Sequence, residues 1–219
     1  VAGSAGGFSE EHFREAYAEF RQPVGAGAGW QLLVETLSIS VYWRRDKRTG
    51  LYEYKVFDVL EDCPPAVLVD VYTDLDYRKQ WDEYVEELYE QEHNGQTVIY
   101  CKVKYPFPVS KRDYVYIRQL QELDTARGKI YMVLSQSTSV PQLPEKRGLI
   151  RVKQYKQSLA IESDGNGGSK VFMYYFYNPG GRIPSWILNR AVQNQSRTKW
   201  DAQNQRLLPF PANPSTLQW

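Results

Sequence analysis

The feature that most constrains the fold is a succession of segments in which β-branched and aromatic residues alternate with polar ones. Such alternation is typical of strands with one buried face. Asn94-Gly95, a strong hairpin signal, separates two of these segments, and the turns 46–50 and 164–168 separate others. The sequence therefore predicts an antiparallel meander of about eight or nine strands. The predicted strands are 30–41, 51–60, 87–92, 96–104, 113–123, 129–138, 149–162 and 170–177.

Helical patterns interrupt and flank these strands. Residues 9–20 carry apolar side chains at three- and four-residue steps behind Ser9, a candidate cap. Residues 66–74, with proline in the first turn, and 76–84 predict two short helices between strands, and 184–194 predict a last one. Strands with helices at the ends and one helical insertion define an α+β class.

Composition excludes several classes of function. The 27 basic and 26 acidic residues give a net charge of +1, too little for sequence-independent nucleic-acid binding. No segment reaches the ~18 apolar residues of a membrane span. Cys63 and Cys101 are too few for a disulfide framework, and with only two histidines no metal site is expected. We therefore expect a cytoplasmic protein without metal, cofactor or nucleic-acid partner.

Catalytic motifs are also missing from the sequence. It contains no glycine-rich phosphate loop, no Gly-x-Ser-x-Gly elbow and no His-Glu-x-x-His pair. His12 falls on a surface helix and His93 beside a turn, so neither resembles a general base. The expectation is that the protein is not an enzyme.

Arg78 and Asp82 form the first candidate constellation. If 76–84 is helical, the two side chains share one face. A surface ion pair worth under about 1 kcal/mol is one interpretation. The other is that Arg78 faces a cavity and binds a phosphate in bidentate fashion.

Tyrosines on the predicted strands form the second constellation. Residues two apart on a strand share a face, so Tyr114 and Tyr116 point the same way, as do Tyr155 and Gln157. Converging rings can hold a quaternary ammonium by cation–π attraction of about 0.5–2 kcal/mol per ring. Alternatively, these tyrosines simply pack in the core and bond through their hydroxyls.

Five segments together resemble the START lipid-transfer family: 76–82, 104–108, 112–116, 151–157 and 178–181. The resemblance spans residues 8–194, the predicted lipid-binding domain. It implies a helix-grip fold, in which an incurved antiparallel sheet and a carboxyl-terminal helix enclose a lipid cavity. After Asn194 the sequence becomes polar and proline-bearing, so we expect a truncated or altered helix and a loose tail over 195–219, with no packed element beyond one turn.

The resemblance also implies roles for individual residues. It places Arg78, Tyr72 and Gln157 on the lipid phosphate. It places Tyr114, Tyr155 and Asp82 around the choline ammonium. Tyr175, Cys101 and Val103 would line the pocket. At position 101 the resemblance implies a tryptophan as one wall of the choline cage, but this sequence has Cys101. The loss of that ring predicts a weaker preference for choline over other lipid head groups.

By this resemblance the chain is a soluble, monomeric carrier that binds one phosphatidylcholine and transfers it during brief contacts with membrane surfaces. Two alternatives remain open at the level of sequence. The chain could be a lipid-sensing interaction module with a protein partner and no efficient transfer. It could also be a poorly folding variant that lacks the closing helix.

Overall fold

A computed structural model of the 219-residue chain describes residues 7–22, 29–35, 37–82, 84–105, 108–180, 200–201 and 206–207. Three helices and ten strands make up its main body. The helices are α1 (Glu10–Arg21), α2 (Pro65–Thr73) and α3 (Leu75–Trp81). The strands are β1 (Gln31–Glu35), β2 (Ile39–Arg45), β3 (Tyr52–Leu60), β4 (Val85–His93), β5 (Gln96–Val103), β6 (Arg112–Thr125), β7 (Gly128–Ser137), β8 (Ile150–Arg151), β9 (Tyr155–Ser163) and β10 (Ser169–Tyr177).

One sheet holds all ten strands, in the order β1-β2-β3-β10-β9-β7-β6-β5-β4, with β8 pairing in parallel beside β6. The predicted antiparallel meander is confirmed from β4 to β10, apart from this short parallel strand. It is interrupted between β3 and β4, because α2 and α3 carry the chain across the sheet. As a result β3 pairs with β10, and β1 and β4 form the two edges.

Two of the predicted strands are each divided in the structure. Segment 30–41 becomes β1 and the start of β2, which pair with each other. Segment 149–162 becomes β8 and β9, because Arg151 bonds to Asp113 at the start of β6 before the chain turns into β9. The Asn94-Gly95 turn forms as predicted, with both residues at positive φ, 51° and 78°, the conformation that favours asparagine and glycine.

The helices cover opposite faces of the sheet. Helix α1 starts at a capping box in which Ser9 and His12 bond each other's backbone N–H. Its Phe13 packs on the face that carries Met132 and Phe172; we call this the outer face. Helix α2 packs Leu68 on the other face, which we call the inner face.

The structure describes only four residues of the chain after residue 180, so most of the predictions for the carboxyl-terminal part are not tested by it. The predicted helix 184–194 and the predicted boundary at 194 lie outside the described residues. Trp200–Asp201 and Arg206–Leu207 form a short antiparallel ladder, which we label β11 and β12. The sequence did not indicate this pairing, since no alternation marks residues 200–207.

Candidate functional site

Tyrosine side chains from four strands and one loop meet on the inner face. Strands β6 and β10 each contribute two tyrosines at alternate positions, which confirms the predicted shared face of Tyr114 and Tyr116. We call this group the tyrosine cluster. Its members are Tyr54, Tyr105, Tyr114, Tyr116, Tyr155, Tyr175 and Tyr177.

Tyr155 lies at the centre of the tyrosine cluster. Its ring centroid is 5.6 Å from that of Tyr114, 5.5 Å from Tyr116 and 6.0 Å from Tyr175, each in an edge-to-face arrangement. This is the spacing that aromatic pairs prefer. Burial raises the pKa of the phenols of Tyr114, Tyr155 and Tyr175 well above their ordinary value, so the rings stay neutral.

Arg78 and Asp82 form a buried ion pair beside these rings. Their residues are 8% and 3% exposed, and Nε of Arg78 donates to Oδ2 of Asp82 over 3.2 Å. The surface ion pair considered for this helix is therefore excluded. Burial opposes the charge of Arg78, but the negative charge of Asp82, with smaller contributions from Tyr116 and other neighbours, leaves the pKa of Arg78 above its ordinary value.

Local sequence explains why the pair points inward. Asp74 caps α3 by accepting from the backbone N–H of Tyr77 at 2.9 Å. The helix ends at Trp81 and Asp82 is its C-cap residue, whose Oδ1 accepts from the N–H of Tyr84 at 3.2 Å. Since α3 packs against β4 at the edge of the sheet, Arg78 and Asp82 lie over the inner face.

Gln157 joins the tyrosine cluster to the apolar part of the inner face. The hydroxyl of Tyr155 donates to Oε1 of Gln157, and Nε2 of Gln157 lies 3.2 Å from the sulfur of Met173. Met173 belongs to a second group of buried side chains, the aliphatic cluster. This cluster comprises Ile39, Val41, Val56, Leu60, Cys63, Leu68, Val69, Val133, Leu159, Ile161, Val171 and Met173.

Tyr72, which the resemblance places on the lipid phosphate, packs against the aliphatic cluster from α2. Its electrostatic neighbours are Asp58 and Cys63, and burial raises the pKa of its phenol. Asp58 is an unexpected member of this region. It is 7% exposed, and burial raises the pKa of its carboxyl to about 7.

Cys101 and Val103 lie on β5 and are 0% and 4% exposed. Both pack in the same buried group as Tyr114, Tyr155 and Tyr175. Burial raises the pKa of the Cys101 thiol to about 11, with Arg78 acting in the opposite direction, so the thiol is neutral. Tyr175, Cys101 and Val103, which the resemblance implied as pocket-lining residues, thus lie in one buried group.

A network on the outer face supports this arrangement. Asp113 accepts from Nε and Nη2 of Arg151 at 2.7 and 3.0 Å, and from the Tyr100 hydroxyl at 3.0 Å. The carboxylate side chain is 1% exposed. Since successive strand residues point to opposite faces, fixing Asp113 outward fixes Tyr114 inward.

The sequence identified some of the site and missed the rest. Tyr54, Tyr105 and Tyr177 were not singled out, although Tyr177 shares its strand face with Tyr175 by the same period of two. Tyr105 and Arg112 carry no periodic signal, because they flank a loop. Their place in this group depends on how β5, β6 and β10 assemble in the sheet.

The fold is that of a lipid-binding protein family. The START domain profile matches residues 10–206, and the chain belongs to the START family.

Among its relatives is the phosphatidylcholine transfer protein of Homo sapiens, 68% identical over 191 residues, which cover 87% of this chain and 89% of the relative. The mouse phosphatidylcholine transfer protein is 66% identical over 194 residues, covering 89% and 91%. The crystal structure of human STARD10 superposes with a TM-score of 0.72 at 25% identity, covering 86% of this chain and 75% of that one.

Within the described residues, no helix is both long enough and apolar enough to cross a membrane.

Proposed function

We propose that the protein binds one phosphatidylcholine molecule on its inner face and carries it between membranes. The buried Arg78–Asp82 pair beside neutral aromatic rings is the observation that carries this proposal. Phosphatidylcholine is a zwitterion, so its phosphate complements the guanidinium and its ammonium complements the carboxylate and the rings. The START fold and the transfer proteins at 66–68% identity support the same ligand.

Within the proposal, each residue has a distinct role. Arg78 binds the phosphate with two parallel hydrogen bonds, and Tyr72 and Gln157 donate to the same group. Tyr114, Tyr155 and Asp82 surround the choline. These assignments agree with the burial of Arg78 and with the central position of Tyr155.

The acyl chains require the aliphatic cluster. Each methylene kept from water contributes about 0.8 kcal/mol, so a lipid leaves a bilayer only for a similarly apolar surface. Val133, Leu159 and Val171 supply such side chains next to the tyrosine cluster. Carriage of this kind makes and breaks no covalent bond, so we propose that the protein is not an enzyme. We also propose that the carrier is cytoplasmic and monomeric and touches membranes only during exchange.

We expect the purified protein to hold one phosphatidylcholine per chain in native mass spectrometry and to move fluorescent phosphatidylcholine between donor and acceptor vesicles. A lipid-filled protein without vesicle transfer would favour the sensing module. An empty protein with little folded signal in circular dichroism would favour the poorly folding variant. Either outcome contradicts the carrier.

Position 101 gives a test of head-group selectivity. Tryptophan is the strongest cation–π partner, so Cys101→Trp is expected to increase the preference for choline over ethanolamine lipids by up to about thirtyfold. The larger side chain also costs about 1–3 kcal/mol through overpacking. Competition between the two lipids in native mass spectrometry measures the ratio directly.

Cys101→Val is the matched control for this experiment, because valine is apolar and of similar size but has no ring. Its choline-to-ethanolamine ratio should equal that of the wild type. An unchanged ratio in Cys101→Trp would contradict a choline position next to residue 101.

A further inference from the structure

Asp58 places a carboxyl group in the apolar part of the inner face. On β3 it stands between Val56 and Leu60 at alternate positions, and both of these belong to the aliphatic cluster. Since residues two apart on a strand share a face, the Asp58 side chain points into that cluster. Its partners in the ladder are Ile39 on β2 and Val171 on β10, which belong to the same cluster. The acid therefore has aliphatic side chains in all four neighbouring positions of its face.

No cation pairs with this carboxyl group in the part of the chain that the structure describes. Asp58 is 7% exposed, and burial opposes its charge, while the backbone N–H of Val59 favours it. Asp82 on the same face, by contrast, has Arg78 as its partner. A buried acid without a counter-charge is unfavourable, and such a group calls for an explanation when it faces a binding region.

The titratable groups near Asp58 are neutral. The charge of Asp58 acts on the phenol of Tyr72 on α2, as does the thiol of Cys63. Burial raises the pKa of both groups, to about 11 for Cys63. The residues that pair with Asp58 from β2 and β10 do not titrate. Burial raises the pKa of the Asp58 carboxyl to about 7, so among these groups it is the one whose charge changes near neutral pH.

Asp58 lies beside the surface that the proposed function assigns to the acyl chains. Val171, which is directly opposite in the ladder, is one of the side chains assigned to them. Tyr54 of the tyrosine cluster is four residues away on the same face of β3, or about 13 Å along the strand. The carboxyl group is therefore separated from the proposed head-group position and faces the acyl chains.

A plain acyl chain offers no hydrogen bond to a carboxylate. When its methylene groups cover the ionised Asp58, the carboxylate loses water and gains no donor. A hydroxyl group on the chain does donate, and hydrogen bonds to an ionised acceptor are about twice as strong as those between neutral groups. The cationic groups of membrane lipids belong to the head group, which the proposed function places at the tyrosine cluster. A hydroxylated acyl chain is therefore the ligand that satisfies this acceptor.

We propose that Asp58 selects lipids whose acyl chain bears a hydroxyl group, which donates to the Asp58 carboxylate within the aliphatic cluster. This inference rests on the proposed function for the position of the acyl chains. Phosphatidylcholine with plain chains remains a ligand, because Asp58 is neutral once it has taken up a proton. Hydroxylated chains bind more tightly, and the difference grows as the pH rises.

A matched pair of lipids tests this selectivity on the full chain. Dioleoyl- and diricinoleoyl-phosphatidylcholine differ only in a mid-chain hydroxyl group on each acyl chain. With vesicles that contain both lipids in equal amounts at about pH 8, we expect native mass spectrometry to show a ricinoleoyl preference of about ten- to hundredfold. Equal binding of the two overturns the inference and leaves the carrier standing. Binding of neither lipid refutes the carrier and the inference with it.

The pH dependence separates the charge of Asp58 from its shape. With its pKa raised to about 7, the carboxyl is protonated below that pH and ionised above it. The ricinoleoyl preference of the wild type should therefore rise from about pH 6 to about pH 8. Asp58→Asn keeps the size and an acceptor oxygen but does not titrate, so its preference should stay constant. A parallel rise in Asp58→Asn would contradict the role of the carboxylate.

Asp58→Val removes the acceptor and makes this part of the face fully aliphatic. The ricinoleoyl preference should be lost, and the lipid-free variant should have a higher melting temperature than the wild type at about pH 8, since no unpaired carboxylate stays buried. A purely structural role predicts a shifted melting temperature with the preference intact, and that result would overturn the inference.

Asp70→Asn is the matched control, because Asp70 lies on α2 and is exposed. It makes the same chemical change as Asp58→Asn outside the aliphatic cluster. The ricinoleoyl preference and its pH dependence should both equal those of the wild type. Loss of the pH dependence in Asp70→Asn as well would contradict the assignment to Asp58.

Discussion

Arg78→Ala is expected to reduce phosphatidylcholine transfer between vesicles by about ten- to hundredfold, because it removes the charged hydrogen bonds to the phosphate. It is also expected to destabilise the protein by about 3–5 kcal/mol, since the buried carboxylate of Asp82 loses the guanidinium it pairs with. A fluorescence transfer assay measures the first effect and denaturant unfolding measures the second.

A double variant separates these two effects. Arg78→Met with Asp82→Asn removes both charges, so no unpaired ion stays buried and much of the stability should return. The amide introduced at position 82 keeps a side-chain oxygen that can accept from Tyr84, as Asp82 does at 3.2 Å. Transfer should stay low in a protein that is stably folded. Recovery of transfer in the double variant would show that Arg78 acts through stability and not through the phosphate.

Asp113→Ala is expected to destabilise the protein by about 3–5 kcal/mol. The substitution leaves the Arg151 guanidinium, whose side chain is 8% exposed, without its carboxylate, and leaves the buried Tyr100 hydroxyl without its acceptor. Urea unfolding followed by far-ultraviolet circular dichroism measures this loss as a shift in the midpoint.

Glu122→Gln is the control for Asp113→Ala. Glu122 pairs with Lys129 at 2.9 Å, but both side chains are about half exposed, 52% and 46%. Exposed pairs contribute between about 0 and 1 kcal/mol, so the urea midpoint should hardly move. Comparable shifts in the two variants would contradict the importance assigned to burial at Asp113.

Much of the sheet could be predicted because its signals are local. Alternation fixes which residues share a face, and Asn94-Gly95 fixes one hairpin. Pro65 at the start of α2 likewise marked a helix from sequence. These features depend on residues within a few positions of each other, and the structure confirms them.

The pairing of β3 with β10 could not be predicted in this way. The two strands lie more than a hundred residues apart, with Tyr54 opposite Tyr175, and no local pattern encodes which strands become neighbours. The division of segment 149–162 into β8 and β9 also depends on a distant residue, because Arg151 in β8 bonds to Asp113 at the start of β6.

The candidate site was predictable only with the family resemblance. The sequence alone did not decide whether Arg78 forms a surface ion pair or faces a cavity. Helical spacing shows which residues share a face, but it does not show which face of the helix the sheet covers. The resemblance named Arg78 and Tyr155, but it assigned no role to Asp58, Arg112 or Tyr105. The burial of those residues depends on neighbours from distant strands.

The bond between Asp113 and Arg151 has a consequence for natural variation. These two side chains lie on the outer face, away from the proposed lipid site. They nevertheless fix the strand that carries Tyr114 and Tyr116 on its inner face. Substitution of either residue should therefore weaken lipid binding, as a substitution in the tyrosine cluster would. Purifying selection on this protein should act on this buried ion pair of the outer face as strongly as on the rings of the tyrosine cluster.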